Sequence, residues 1–222
     1  MGEPTKKSFS YRLFRSVFGL FFKVWFRIKV FHRERVPKIG RVILASNHVC
    51  YFDPVFVVSS LERMVVGLAR ESAFKNPING FLLRSWRMIS VDQSGSGRGL
   101  KTFLSRLRSG DAVIMYPEGT RSPTGQIQAP QPGIGLIIIK SDAPVIPIKI
   151  FGAFEAYPRH CLFPRPYPVQ IKFGEPLDFA DLRAEAKQTK DKDRLKEIYK
   201  QAATDLLHAI AQIEPGPDQE AL

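Results

Sequence analysis

Val42-Ile43-Leu44-Ala45-Ser46-Asn47-His48-Val49-Cys50-Tyr51-Phe52-Asp53-Pro54-Val55-Phe56-Val57-Val58 sets a histidine and an aspartate between two apolar runs. Polar groups at the junction of two buried elements are where α/β proteins usually keep their chemistry. On a continuous helix, residues five apart are separated by roughly 140° and do not face each other. His48 and Asp53 therefore meet only if the backbone between them is irregular. Asp53-Pro54 supplies the break, because the residue before proline is pushed towards extended geometry and proline suits the first helical position. The stretch predicts a strand over Arg41 to Ser46, a loop carrying His48, and a well-buried helix from Pro54 to about Leu61. Asp is also a favoured N-cap, so Asp53 reads as cap, as partner of His48, or as both.

Working outward, 222 residues with 44% hydrophobic and 24% charged side chains fit one globular α/β domain. Cys50 and Cys161 form neither a metal-type cluster nor a disulfide framework. That pattern fits a reducing compartment, and neither a metal nor a cofactor is expected. A net charge of +12 calls for an anionic partner. Up to Arg41 there are eleven basic residues against Glu3 and Glu34, so most of the excess is N-terminal.

From about Ser8 to Phe31 the chain is aromatic and basic together. On a helical wheel Arg12, Arg15, Ser16, Gly19, Lys23 and Arg27 share one sector. Leu13, Phe14, Val17, Leu20, Phe21, Val24, Trp25 and Ile28 take the far side. No apolar run approaches the roughly 18 residues that span a bilayer. An in-plane interfacial helix, its apolar side in the acyl region and its cations at anionic headgroups, is the expectation. Packing on the chain's own domain is one alternative. A basic signal peptide is another, against which stand Lys23 and the lack of a small-residue cleavage site. Nucleic acid is not expected as a partner, because these cations share a helix with a greasy face instead of lining a groove.

The remaining pattern alternates strands and helices. An edge strand is read within Arg27 to His32, and core strands at Met64 to Ala69, Met88 to Val91 and Ala112 to Met115. Helical spacing runs over Ile78 to Trp86, Leu100 to Arg108, a short stretch ending at Lys140, and a long scaffold helix from Leu195 to Ile213. Pro144 to Ile150 carries an internal proline, which predicts an edge strand or a bulge, and Val169 to Phe173 completes the set. Gly95-x-Gly97-x-Gly99 lacks the full dinucleotide fingerprint and reads as a flexible loop before a helix, although amides at a helix start favour phosphate. Glu214 to Leu222, with two prolines and a glycine, is expected to fray.

The strand Ala112 to Met115 delivers Tyr116-Pro117-Glu118-Gly119-Thr120-Arg121-Ser122. A guanidinium here can clamp a phosphate bidentately, and a carboxylate can accept from hydroxyls or orient the arginine. A turn with a local Glu118/Arg121 ion pair is the plain alternative.

His48 with Asp53-Pro54, followed by Pro117-Glu118-Gly119-Thr120-Arg121-Ser122, closely resembles the PlsC-type lysophospholipid acyltransferase family, whose best-known members are 1-acylglycerol-3-phosphate acyltransferases. The resemblance runs roughly from Phe31 to Phe179 and includes Met88-Ile89-Ser90-Val91-Asp92-Gln93 and Val145-Ile146-Pro147-Ile148. Gln93 stands where the family usually carries Arg, and Arg87 where it often carries a small residue. Arg98 is the expected replacement for the missing phosphate contact.

The resemblance implies a central, mixed, mostly parallel sheet flanked by helices, with the N-terminal amphipathic helix at a membrane interface. With the charge and hydropathy pattern of the two ends, the chain is expected to divide into a basic aromatic membrane-association segment at 1–32, an α/β acyltransferase domain at 33–213 and a disordered tail at 214–222. It implies transfer of a fatty acyl group from acyl-CoA or acyl-carrier protein to a lysophospholipid hydroxyl at the cytoplasmic face of the membrane. His48 is then the base and Asp53 its orienter. Glu118, Gly119, Thr120, Arg121, Asn47 and Arg98 bind substrate, Gly119 chiefly through backbone freedom. The residues support this chemistry, since an imidazole titrates close to neutral pH and a carboxylate on its other nitrogen fixes the tautomer. No Gly-x-Ser-x-Gly elbow offers a protein nucleophile, which points to direct attack by the substrate hydroxyl. Lysophosphatidate is the expected acceptor; another lysolipid or glycerol 3-phosphate is the runner-up, and non-catalytic membrane binding is a third reading.

Overall fold

The computed structural model describes residues 19–86, 88–91, 97–131 and 133–218. Seven strands form one sheet: β1 (Lys29–Phe31), β2 (Val42–Ser46), β3 (Val65–Arg70), β4 (Met88–Val91), β5 (Ala112–Met115), β6 (Val145–Phe151) and β7 (Gln170–Phe173). Their order is β1-β7-β6-β2-β5-β3-β4. Every neighbouring pair is parallel except β6 with β7. The α/β class and the mixed, mostly parallel sheet read from the sequence are the observed ones.

The run of apolar residues in β2 reflects burial on both sheet faces. Val42 and Leu44 point into one core cluster, Ile43 and Ala45 into the other. The same alternation divides Ala112 and Ile114 from Val113 and Met115 in β5. On the first face lies α1 (Asp53–Ser60), burying Phe56, Val57 and Val58. On the second lie α4 (Gly133–Ser141) and α7 (Lys192–Gln212), with α3 (Arg98–Arg108) and α6 (Ala180–Gln188) beside them; α2 (Pro77–Ser85) precedes β4 and the single turn α5 (Ala153–Ala156) follows β6. In α7, Ile198, Ala202, Leu206 and Ile210 recur at every fourth position and are all buried, as the periodicity predicts.

Connectivity places the site. After β2 the chain crosses over β5 to β3, and after β5 it returns the other way to β6. Neighbouring parallel strands whose outgoing chains pass to opposite faces of the sheet, here to α1 and α4, leave a crevice at their carboxyl ends, the usual ligand site of open α/β sheets. His48 follows β2 and Glu118 follows β5, so the two motifs, far apart in sequence, meet there.

Three expectations need correction. The proline-bearing strand β6 is interior, lying between β7 and β2. Pro147 is tolerated because it lies one residue beyond the last β6–β7 pair, Ile148 with Phe173. Its carbonyl accepts from the Gly174 N–H at 2.8 Å, and β7 has already ended where a Pro147 N–H would have pointed. Gly174 also makes room for the ring, since a Cβ there would lie 2.9 Å from Pro147 Cγ.

The N-terminal segment is helical over residues 19–25 and has two apolar sides, where a single one was expected. Phe22 and Phe26 are buried against Phe52 and Phe56, with Phe22 at 5.0 Å from Phe52 and Phe26 at 5.2 Å from Phe56. Leu20, Phe21, Val24 and Trp25 face outward, Phe21 stacked on Trp25. Packing on the domain and an exposed greasy surface thus coexist on one helix. The expected helix from Ser8 to residue 18 lies outside the described residues.

The chain does not fray at Glu214. Asp218 is held by Lys172 at 2.7 Å, Arg35 at 2.6 Å and His32 at 3.2 Å. The hydrogen bonds from Lys172 and Arg35 lower its carboxyl to about 2. Residues 219–222 lie outside the described residues, as do Arg87, Asp92, Gln93 and most of the glycine-rich loop.

Candidate active site

Asp53 is the first residue of α1, not its cap; the capping position is Phe52. Its side chain turns away from the helix and back into the loop. Oδ2 takes His48 Nδ1 at 2.8 Å, the Val49 N–H at 2.7 Å and the Cys50 N–H at 2.8 Å. A cap would have been aimed at the next turn of the helix. This one ties a five-residue loop to the helix start, and the loop's own amides hold the carboxylate in place. Asp53 is fully buried; two backbone donors and an imidazole supply at Oδ2 what water would otherwise provide, while Oδ1 has no hydrogen-bond partner among the described residues.

Because an ionised carboxylate only accepts, the bond to Asp53 assigns the proton to Nδ1 and leaves Nε2 as the basic nitrogen. The His48 ring stacks on Tyr116, centroids 4.1 Å apart and planes at 24°. Its backbone is equally constrained. The His48 N–H donates to Glu118 Oε1 at 2.8 Å, and the His48 carbonyl accepts from the Ser122 N–H at 2.7 Å. The loop after β5 therefore grips the histidine on both sides of its Cα.

Glu118 is 1% exposed, and its second oxygen accepts from the Gln128 N–H at 3.0 Å. Burial pushes its carboxyl up, against the opposing pull of those N–H donors. Expected as a substrate ligand, Glu118 instead has both oxygens committed to backbone amides, one in each flanking segment. Replacing it with Ala strands the His48 and Gln128 amides. We expect a loss of about 3 kcal/mol of stability, measured as a melting temperature lower by roughly 6–12 °C, with Glu118→Gln recovering part of it.

Asn47 is likewise committed to the framework. Its Nδ2 donates to the Ile150 carbonyl at 3.1 Å and its Oδ1 accepts from the Ile150 N–H at 2.8 Å, stitching the end of β2 to β6. Buried and doubly bonded, it does not present its amide to a ligand as expected.

Arg121 makes no ion pair with Glu118. Its guanidinium lies over the Tyr51 ring, 5.5 Å from the centroid, with Tyr51 itself partly exposed at the crevice mouth. Such a cation–π contact holds the planar fork while leaving its N–H donors for a ligand. Gly119, at φ +68, has the left-handed backbone of the turn, and a Cβ there would lie 2.5 Å from Gln131 Cγ. Thr120 is half-buried in the same turn. Arg98 opens α3 on the carboxyl side of β4, three strands from β2 and so on the order of 14 Å across the same end of the sheet. The structure brings His48, Asp53, Glu118 and Arg121 together and leaves Arg98 at the periphery.

Cys50 is no nucleophile: burial and the Asp53 charge push its thiol far up, and its sulfur accepts from the Phe52 N–H. Tyr116 and Tyr51, which form the walls of the site, were not singled out in the sequence. The only available signal was their position, one directly after a core strand and the other inside the His48 loop.

Several known proteins are similar to this chain. The sequence profile of the family described as Acyltransferase matches residues 27–151. A 1-acyl-sn-glycerol-3-phosphate acyltransferase of Limnanthes douglasii is 27% identical over 158 residues, covering 69% of this chain and 56% of that protein. One from Borreliella burgdorferi is 23% identical over 160 residues, covering 70% and 64%. The chain spans about half the length of several curated relatives it matches. The crystal structure of PlsC, the 1-acyl-sn-glycerophosphate acyltransferase of Thermotoga maritima, superposes with a TM-score of 0.68 at 22% identity, covering 93% of this chain and 81% of that one. That likeness establishes a shared fold.

Proposed function

This chain belongs to the acyltransferase family, and from that premise we propose that it moves a fatty acyl group from an acyl thioester to the free hydroxyl of lysophosphatidate, giving phosphatidate. The observation that carries the reading is the constrained imidazole: His48 Nδ1 is fixed on buried Asp53, which leaves Nε2 to take a proton, and the Arg121 guanidinium lies over Tyr51 of the same loop.

His48 Nε2 accepts the hydroxyl proton as the substrate oxygen attacks the thioester carbonyl. The new ester C–O bond forms, the C–S bond breaks, and the departing thiolate recovers the proton from the imidazolium. Asp53 stabilises that imidazolium through the Nδ1–H bond. The donor is acyl-CoA or acyl-carrier protein, both anionic and suited to a chain of net charge +12. The acceptor's phosphate meets Arg121, with Thr120 beside it and Arg98 as a peripheral cation. Glu118 contributes by holding the loop. The reaction takes place where lysolipids reside, at the anionic cytoplasmic face of a membrane, with the N-terminal helix lying in the interface. Among the described residues no helix is long and apolar enough to cross a bilayer.

The test is a panel of acceptors offered to the purified chain with an acyl-CoA or acyl-carrier donor, following thiol release and lipid product. Lysophosphatidate should give the highest kcat/KM; no phosphatidate with any donor would reject the reading. In the same assay Arg121→Ala should raise the acceptor KM by roughly 10–100-fold with a smaller change in kcat, as expected for loss of a charge-assisted phosphate contact.

A further inference from the structure

The loop between α5 and β7, Tyr157-Pro158-Arg159-His160-Cys161-Leu162-Phe163-Pro164-Arg165-Pro166-Tyr167-Pro168, leaves Leu162 85% and Phe163 80% exposed. Two adjacent large apolar side chains this bare are costly in water unless something covers them. The loop that displays them is pinned. The Arg165 N–H donates to the Ala156 carbonyl at 2.7 Å, the Cys161 N–H to the Pro158 carbonyl at 3.1 Å, and Tyr157 Oη to the Leu162 carbonyl at 3.3 Å. Four prolines restrict it further.

The loop that carries this apolar tip is bonded at its base to the end of helix 19–25. Arg27 Nη2 donates to the Pro166 carbonyl at 3.0 Å, and the Val169 N–H donates to the Phe26 carbonyl at 2.9 Å. Tyr157, at the other end of the loop, packs 5.1 Å from Phe52 in the His48 loop. Leu20, Phe21, Val24, Trp25, Leu162 and Phe163 thus come from two segments bonded to each other beside the crevice. Their exposed ionic neighbours are cations: Lys23, Arg27 and Lys29 on one segment, Arg159 and Arg165 on the other. Neither 19–33 nor 157–168 contains an Asp or Glu; Glu155 in α5 is the acidic residue next to the loop.

We propose that the Leu162–Phe163 tip is a second membrane-insertion element, which together with helix 19–25 seats the crevice on an anionic bilayer. An apolar tip ringed by cations matches acyl chains beneath anionic headgroups. Two anchors beside the crevice set its orientation, which one helix, free to roll about its axis, would not. The inference deepens the proposed function, resting on its membrane-surface reading, and is tested without turnover.

The full chain and its Leu162→Ser/Phe163→Ser double variant are compared by co-sedimentation with phosphatidylcholine/phosphatidylglycerol vesicles. The variant should partition roughly tenfold more weakly, its residual binding supplied by helix 19–25. Phe163→Trp, which keeps a large apolar side chain and guards against a folding defect in the double variant, should show quenching by brominated lipid beyond that of the native tryptophans. Unchanged partitioning of the double variant, or no added quenching in Phe163→Trp, overturns the proposal. So does lost binding to acidic acyl-carrier protein with vesicle binding intact, which would assign the loop to that partner. A protein that binds vesicles through this loop but transfers no acyl group sinks the proposed function and leaves this inference standing.

Discussion

Replacing His48 with Ala should lower kcat/KM for acyl transfer by about 10³-fold or more, because it removes the proton acceptor from the attack step. The fold should survive. The His48→Ala variant would keep the backbone bonds to Glu118 and Ser122, and Asp53 would keep its Val49 and Cys50 donors. A melting temperature within a few degrees of the parent, alongside lost phosphatidate formation, is the expected pair of results. Retained transfer at a parental rate would remove His48 from the chemistry.

Asp53→Asn probes the other half of the pair. Asp53 Oδ2 accepts three bonds at once, while Oδ1 has no partner among the described residues. With the amide oxygen of Asn in the place of Oδ2, all three bonds are kept and Nδ1 stays protonated, but the negative charge that stabilises the imidazolium is gone. With the NH₂ group there instead, it would oppose two buried backbone donors, so the first arrangement prevails. The charge-assisted bond then becomes a neutral one, and kcat should fall by about 10–100-fold with little loss of stability by thermal denaturation. A kcat unchanged in Asp53→Asn would show that the carboxylate is only a structural tie.

Much of the site was legible because it depends on local rules. The run from Val42 to Ala45, then a polar loop, then Asp53-Pro54, specifies a strand, a break and a helix whatever surrounds it. The charged motif after β5 was legible for the same reason. What each polar group does was less so, because a carboxylate's role depends on which amides the fold brings to it. Glu118 and Asn47 look like ligand-binding groups in one dimension. In three, each lies just beyond a strand and beside backbone amides of another segment, and each is used there. The same limit hid Tyr116, whose contact with His48 depends on β2 and β5 lying side by side.

Pro147 and the N-terminal helix illustrate the limit at the level of the fold. A proline in a strand signals an edge, but it needs only a missing acceptor on one side, and β7 ends where that acceptor would be. Around residues 19–25 the wheel separates basic from apolar but cannot divide the apolar residues between a protein core and another surface. Phe22 and Phe26 are inside because Phe52 and Phe56, on the His48 loop and α1, provide the facing rings.

Direct attack by the lipid hydroxyl, with His48 as base and no acyl-enzyme, is tested most directly by initial velocities over a grid of donor and lysophosphatidate concentrations. The account predicts intersecting double-reciprocal lines, as both substrates must be present together before the thiol is released. Parallel lines, the mark of a covalent acyl-enzyme formed before the acceptor binds, would contradict it.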